Sequence, residues 1–154
     1  ALYRARTISD LRYDAHFDIP AEKDSAVTGV VDIAFTLSEV RKPLVLDFRA
    51  PADHVEEVRL DGARIDPRLV QDHIVLPSRL LETGKHVVSV RFRSTDAALN
   101  RNADFLYALF VPDRASTAFP VLEQPDLKAT LALTLTVPAA WKAVSNGPLV
   151  SRDS

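Results

Sequence analysis

The sequence predicts an all-β domain, an antiparallel β-sandwich of about nine strands, and three observations carry that expectation. Apolar and polar residues alternate with a period of two through most of the chain. Turn-forming residues punctuate the runs at short intervals, among them Pro20, Asp61-Gly62, Gly84 and Asn146-Gly147. No segment repeats apolar residues at helical spacing; only Pro77 to Leu81 and Arg114 to Ala118 suit a single helical turn.

The first strand is read from Leu11 to Ile19. Leu11, Tyr13, Ala15, Phe17 and Ile19 share one face; Arg12, Asp14, His16 and Asp18 share the other. Pro20 ends it, because proline brings no N–H to a ladder. A polar connection of hairpin length, 21–25, leads to a second strand from Val27 to Leu37. Leu44 to Phe48 and Val55 to Leu60 are shorter. The latter runs into Asp61-Gly62, a pair suited to a tight hairpin because both residues tolerate positive φ. His73 to Leu76 is an apolar run closed by Pro77. From Lys85 to Arg93, His86, Val88, Val90 and Phe92 alternate with Val87, Ser89, Arg91 and Arg93. Phe105 to Val111 is apolar and aromatic. Ala129 to Val137 alternates apolar residues with Thr and Ala, and Trp141 to Ser145 is read as a last short strand.

The chain has 154 residues, with 19 Lys plus Arg against 21 Asp plus Glu and a formal net charge of −2. That balance lacks the basic surface that displaces counterions from phosphates, so no nucleic acid is expected as a partner. It also lacks a polybasic membrane anchor. No apolar run approaches the ~20 residues of a membrane-spanning helix, so no membrane partner is expected. Apolar residues at 47% and charged residues at 26% suit one folded domain over 1–154. Cysteine is absent, which removes disulfides, thiolate zinc sites and cysteine nucleophiles. The first residues lack a signal-peptide pattern, and the compartment is left open. Methionine is also absent, and Asn146-Gly147 reads as a turn into a further strand at Leu149-Val150. A longer parent chain is expected.

The search for chemistry finds no catalytic constellation. The four glycines, at 29, 62, 84 and 147, lie too far apart for a phosphate cradle or a nucleophile elbow. No histidine has a second one four residues on, as a His-Glu-x-x-His zinc helix requires. Asp14, His16 and Asp18 share one strand face about 7 Å apart per pair. Two of them suit a metal with outside help, whereas the solvent face of an amphipathic strand explains the pattern without one. Lys85, Arg91, Arg93 and Arg101 read as a solvated face rather than a binding stripe. His86 alternates with apolar residues as a core or edge histidine, and Trp141 and Tyr107 are expected in the core.

One stretch carries more. Ala118-Phe119-Pro120-Val121-Leu122-Glu123-Gln124-Pro125-Asp126-Leu127-Lys128-Ala129 resembles the signature of the N-terminal domain of the M1 zinc aminopeptidases, the gluzincins. The segments Ile8 to Pro20, Gly29 to Phe35, Leu44 to Phe48 and Pro138 to Gly147 look like successive strands of that domain, in order. The resemblance implies a β-sandwich that accompanies a thermolysin-like catalytic domain holding the zinc. It therefore implies no catalytic residue, no metal site and no cofactor in this chain. Phe119, Pro120, Glu123, Gln124, Pro125, Asp126 and Lys128 would be structural. Pro125 suits a turn ahead of the next strand. Glu123 and Asp126 suit loop N–H groups, and Lys128 suits either carboxylate. The family's amine-binding Gln, and the Gln or Glu often found two residues after it, fall at Leu109 and Val111. Neither side chain accepts a hydrogen bond. Tyr107, Leu109 and Val111 would then line the substrate groove as an apolar wall.

The expected function is that of a non-catalytic domain of a zinc metallo-aminopeptidase, a hydrolase that removes N-terminal residues from peptides. Its partners would be the parent chain's catalytic domain and the peptide substrate. The alternative is a non-catalytic, aminopeptidase-like scaffold for protein interactions. An independent binding sandwich is a third reading.

Overall fold

A short helix, α1 (Leu2–Thr7), opens the computed structural model, which describes residues 1–154. The strands that follow are β1 (Ile8–Asp18), β2 (Thr28–Leu37), β3 (Leu44–Asp47), β4 (Val55–Leu60), β5 (Ala63–Ile65), β6 (Arg68–Val70), β7 (His73–Leu76), β8 (Gly84–Arg93), β9 (Leu99–Arg101), β10 (Leu106–Ala108) and β11 (Thr130–Thr136). Single 3₁₀ turns occupy Ser78–Leu80 and Ala115–Thr117, where isolated helical turns were expected, and a third occupies Ala52–His54.

A six-stranded sheet has the order β11-β1-β2-β8-β4-β5. A three-stranded sheet has the order β3-β7-β6, and β9 pairs with β10 alone. The alternating residues build one core of 25 buried side chains between these layers. Phe17 and Phe92 of the large sheet meet edge to face at 5.7 Å. Phe92 meets Phe48, just past β3, at 5.9 Å. Gly29 is fixed by close approach: a Cβ there would lie 2.5 Å from the His16 carbonyl oxygen and 2.7 Å from the Phe92 ring. Asp10 takes a φ of 53° where the β1–β2 register shifts, a local kink that a short polar side chain tolerates.

Several details differ from the expectation. β1 and β11 run parallel, with Arg12 opposite Thr130, while the other pairs are antiparallel. The buried segment 118–122 leads the chain back to the end where β1 begins, so β11 enters in the same direction. β5, β6 and β9 are too short to show an alternation. Trp141 to Ser145 forms no strand. A turn bonded from Trp141 N–H to the Pro138 carbonyl follows β11, and no strand pairs with the residues after it. Tyr107 is exposed rather than core, because β10 pairs only with β9 and nothing covers its outer side. Leu131 and Leu133 are likewise exposed, on the sheet's edge strand.

Candidate functional site

The signature stretch threads the core instead of lying over it. Ala118, Phe119, Pro120, Val121 and Leu122 are all buried. Phe119 sits among three rings, edge to face with Tyr13 at 6.3 Å, Phe17 at 5.7 Å and Phe110 at 5.8 Å. Val121 adds a one-residue bridge to the end of β3. Asp47 N–H donates to the Val121 carbonyl at 2.7 Å, and Val121 N–H returns the bond at 3.0 Å. Leu122 N–H donates to the Tyr13 hydroxyl at 2.9 Å. Burial pushes the Tyr13 phenol up to about 12, against the lowering effect of that bond.

Glu123 accepts from two backbone amides, Ala115 N–H at 2.8 Å and Ser116 N–H at 3.1 Å, at the 3₁₀ turn before the signature. The Arg49 guanidinium lies 3.6 Å from the same carboxylate. Arg49 also donates to the Ser116 hydroxyl at 2.9 Å. Glu123 N–H donates to Asp47, whose carboxylate takes both arms of Arg4 at 2.8 and 2.9 Å. Asp47 therefore fastens α1 and the signature to β3. Gln124 donates to the Ala1 carbonyl at 3.0 Å. Pro125 and Asp126 form the turn closed by Leu127 N–H on the Gln124 carbonyl. Asp126 and Lys128 are exposed and make no bond or ion pair in the structure, so Lys128 pairs with neither carboxylate.

Upstream of the signature, the segment 105–111 presents an apolar rib. Phe105, Tyr107, Leu109 and Val111 are 47–72% exposed. Their intervening neighbours Leu106 and Phe110 pack against the core instead. Phe105 and Tyr107 stack at 6.1 Å with 28° between their planes. The rib is tied down by backbone and by Arg101. Leu109 N–H donates to the Ala98 carbonyl at 2.9 Å. The Arg101 guanidinium, from β9, donates to the Ser25 and Glu22 carbonyls at 2.8 and 3.1 Å. Phe110, between Leu109 and Val111, packs on Phe119 of the signature at 5.8 Å.

No protein-family model matches the chain. Aminopeptidase N of Streptomyces lividans is 33% identical over 162 aligned positions, which take in 96% of this chain. Among solved structures, the M1 zinc metallopeptidase of Deinococcus radiodurans superposes with a TM-score of 0.76 over 95% of this chain and 36% of its own, at 21% identity. Leukotriene A4 hydrolase of Saccharomyces cerevisiae gives 0.68 over 86% of this chain and 24% of its own, at 18% identity.

Over nearly its whole length the chain is homologous to an aminopeptidase N, and it shares the fold of part of an M1 zinc metallopeptidase.

It spans 18% of the length of the Streptomyces relative. The Deinococcus relative is a zinc metallopeptidase by name, and the residues of this chain do not fit a zinc ion. No group of three or more His, Asp or Glu side chains is arranged to hold a metal. Each histidine is engaged singly. His16 lies 2.7 Å from the Thr136 hydroxyl, His54 donates to the Arg93 carbonyl and His73 to the Gln71 carbonyl. His86 is held between Asp61 and the Glu82 carbonyl. Asp14, His16 and Asp18 all face solvent on β1. The basic residues 85, 91, 93 and 101 do not converge either; Arg93 pairs with Asp53 at 3.2 Å, and Arg101 turns to the 22–25 connection.

Asp47, Arg4 and Arg49 were not singled out in the sequence. Asp47 ends β3 and Arg49 follows it two residues on, and the partners they bond lie 43 to 76 residues away. No local spacing announces such a contact.

Proposed function

We propose that this domain covers the catalytic domain of a zinc aminopeptidase and supplies Tyr107, Leu109 and Val111 as an apolar wall of its substrate groove. The observation that carries the reading is the exposed rib 105–111, which Phe110 packs against Phe119 of the signature. Four large exposed apolar side chains within seven residues favour a covering partner over bulk water. Leu109 and Val111 offer no acceptor to a substrate amine, so their contribution is shape and exclusion of water. They favour apolar side chains near the peptide's N-terminus.

The test is Leu109→Gln in the intact enzyme, read with peptides whose first residue is apolar or charged. KM is expected to rise several-fold for the apolar series with kcat unchanged, the signature of lost uniform binding. An unchanged KM for both series overturns the wall. An intact protein that hydrolyses no peptide, yet still buries the rib against its catalytic-domain counterpart, is the scaffold instead.

A further inference from the structure

We propose that His86 is a protonation-dependent latch, tying the β4–β5 turn to the connection that leads into β8. The ring is buried at the end of β8. Its Nδ1 lies 2.7 Å from Asp61 Oδ2, and its Nε2 lies 2.7 Å from the Glu82 carbonyl oxygen. Both neighbours only accept. A neutral imidazole has one N–H and satisfies one of them, leaving a lone pair against the other; the imidazolium donates to both.

The two acceptors belong to separate pieces of chain. Asp61 stands in the turn after β4 with φ at 50°, followed by Gly62 at 85°. Its second carboxylate oxygen accepts Val87 N–H at 2.8 Å, and its own N–H donates to the Val87 carbonyl at 2.9 Å. Glu82 lies in the connection just before β8. Asp61 and the Glu82 carboxylate are the charged groups acting on the ring. From β2, its cross-strand neighbour is Phe35, whose ring lies 5.9 Å away and carries no charge. Burial opposes the charge on His86, but the Glu82 and Asp61 hydrogen bonds outweigh it and hold the proton above the ordinary histidine range.

The direction of the pH effect follows. Below about 6.5 the unfolded chain also carries this proton, and the latch contributes in full. Above that value the folded chain keeps a proton the unfolded chain has lost. Stability falls with rising pH until the buried ring has titrated, and the Glu82 contact is the one released, because Asp61 is also held by Val87.

Nitrogen-15 NMR of the histidine rings tests this together with amide exchange. The His86 ring is expected to titrate above the ordinary histidine range, with both of its nitrogens protonated below that titration. Protection of the amides from 82 to 85 is expected to drop by up to about tenfold per pH unit across that titration, while Val87 N–H, bonded to Asp61, stays protected. Asp61→Asn keeps an oxygen for Val87 N–H but removes the charge. His86 should then titrate lower, and the pH dependence of protection should vanish. A neutral His86 ring at pH 6 overturns the latch, as does protection indifferent to its titration or a pH dependence that persists in Asp61→Asn.

Discussion

From Val88 to Phe92, and again from Phe105 to Val111, the chain sets out large apolar residues at every second position. In the first run Val88, Val90 and Phe92 are wholly buried; in the second Phe105, Tyr107, Leu109 and Val111 stand in solvent. The difference lies in neighbours. β8 has β2 on one side and β4 on the other, and Phe48 from the opposite layer lies on its Phe92. β10 has only β9. Alternation says which side chains share a face, and the second layer decides whether that face leaves water. The buried run holds the fold together, while the exposed one has no second layer over it in this chain.

Mutation of the buried run is the strongest test of this contrast. Phe92 is fully buried and touches Phe17, Phe48 and the backbone at Gly29. Phe92→Ala is expected to cost about 3–5 kcal/mol in chemical denaturation, from lost transfer energy and the cavity left behind. A cost under about 1 kcal/mol would mean that the two sheets do not close on each other here. Gly29→Ala probes the same place by overfilling it. The added methyl meets the His16 carbonyl oxygen at 2.5 Å, and backbone yields less readily than a side chain. A loss of about 1–3 kcal/mol is expected. No loss would mean that β1, β2 and β8 are looser than their register implies.

The buried region was also the region legible in the sequence. The runs 11–19, 27–37 and 85–93 are long enough for their period to show and each has a covered face, while 44–48, 55–60 and 73–76 are legible as short runs bounded by turn residues. β5, β6 and β9, of three residues each, hold too few residues for any period. Trp141 to Ser145 reads as a short strand before a turn but has no strand to pair with, so the local reading misplaced it. Tyr107 was misplaced because nothing covers its outer side. At the candidate site, Glu123 and Pro125 stand where carboxylate and turn chemistry predict, one on loop amides and the other in a turn. Asp47 depends on contacts with Arg4 and Glu123 that are distant in sequence. Those meet only through tertiary packing, which no local window contains.

The smallest expected effect sharpens the comparison most. Leu109 is 47% exposed, and its anchoring bond to Ala98 uses backbone, not side chain. Leu109→Gln in this chain therefore removes little buried apolar surface and disturbs no hydrogen bond. Its stability in chemical denaturation is expected to stay within about 0.5 kcal/mol of the parent. The same substitution in the intact enzyme is expected to raise KM, so the pair of measurements separates folding from groove chemistry. A loss above about 1 kcal/mol in this chain would place the Leu109 side chain under cover of its own domain. The rib would then be a second piece of core, and a KM effect in the intact enzyme would reflect a loosened fold instead of a missing wall.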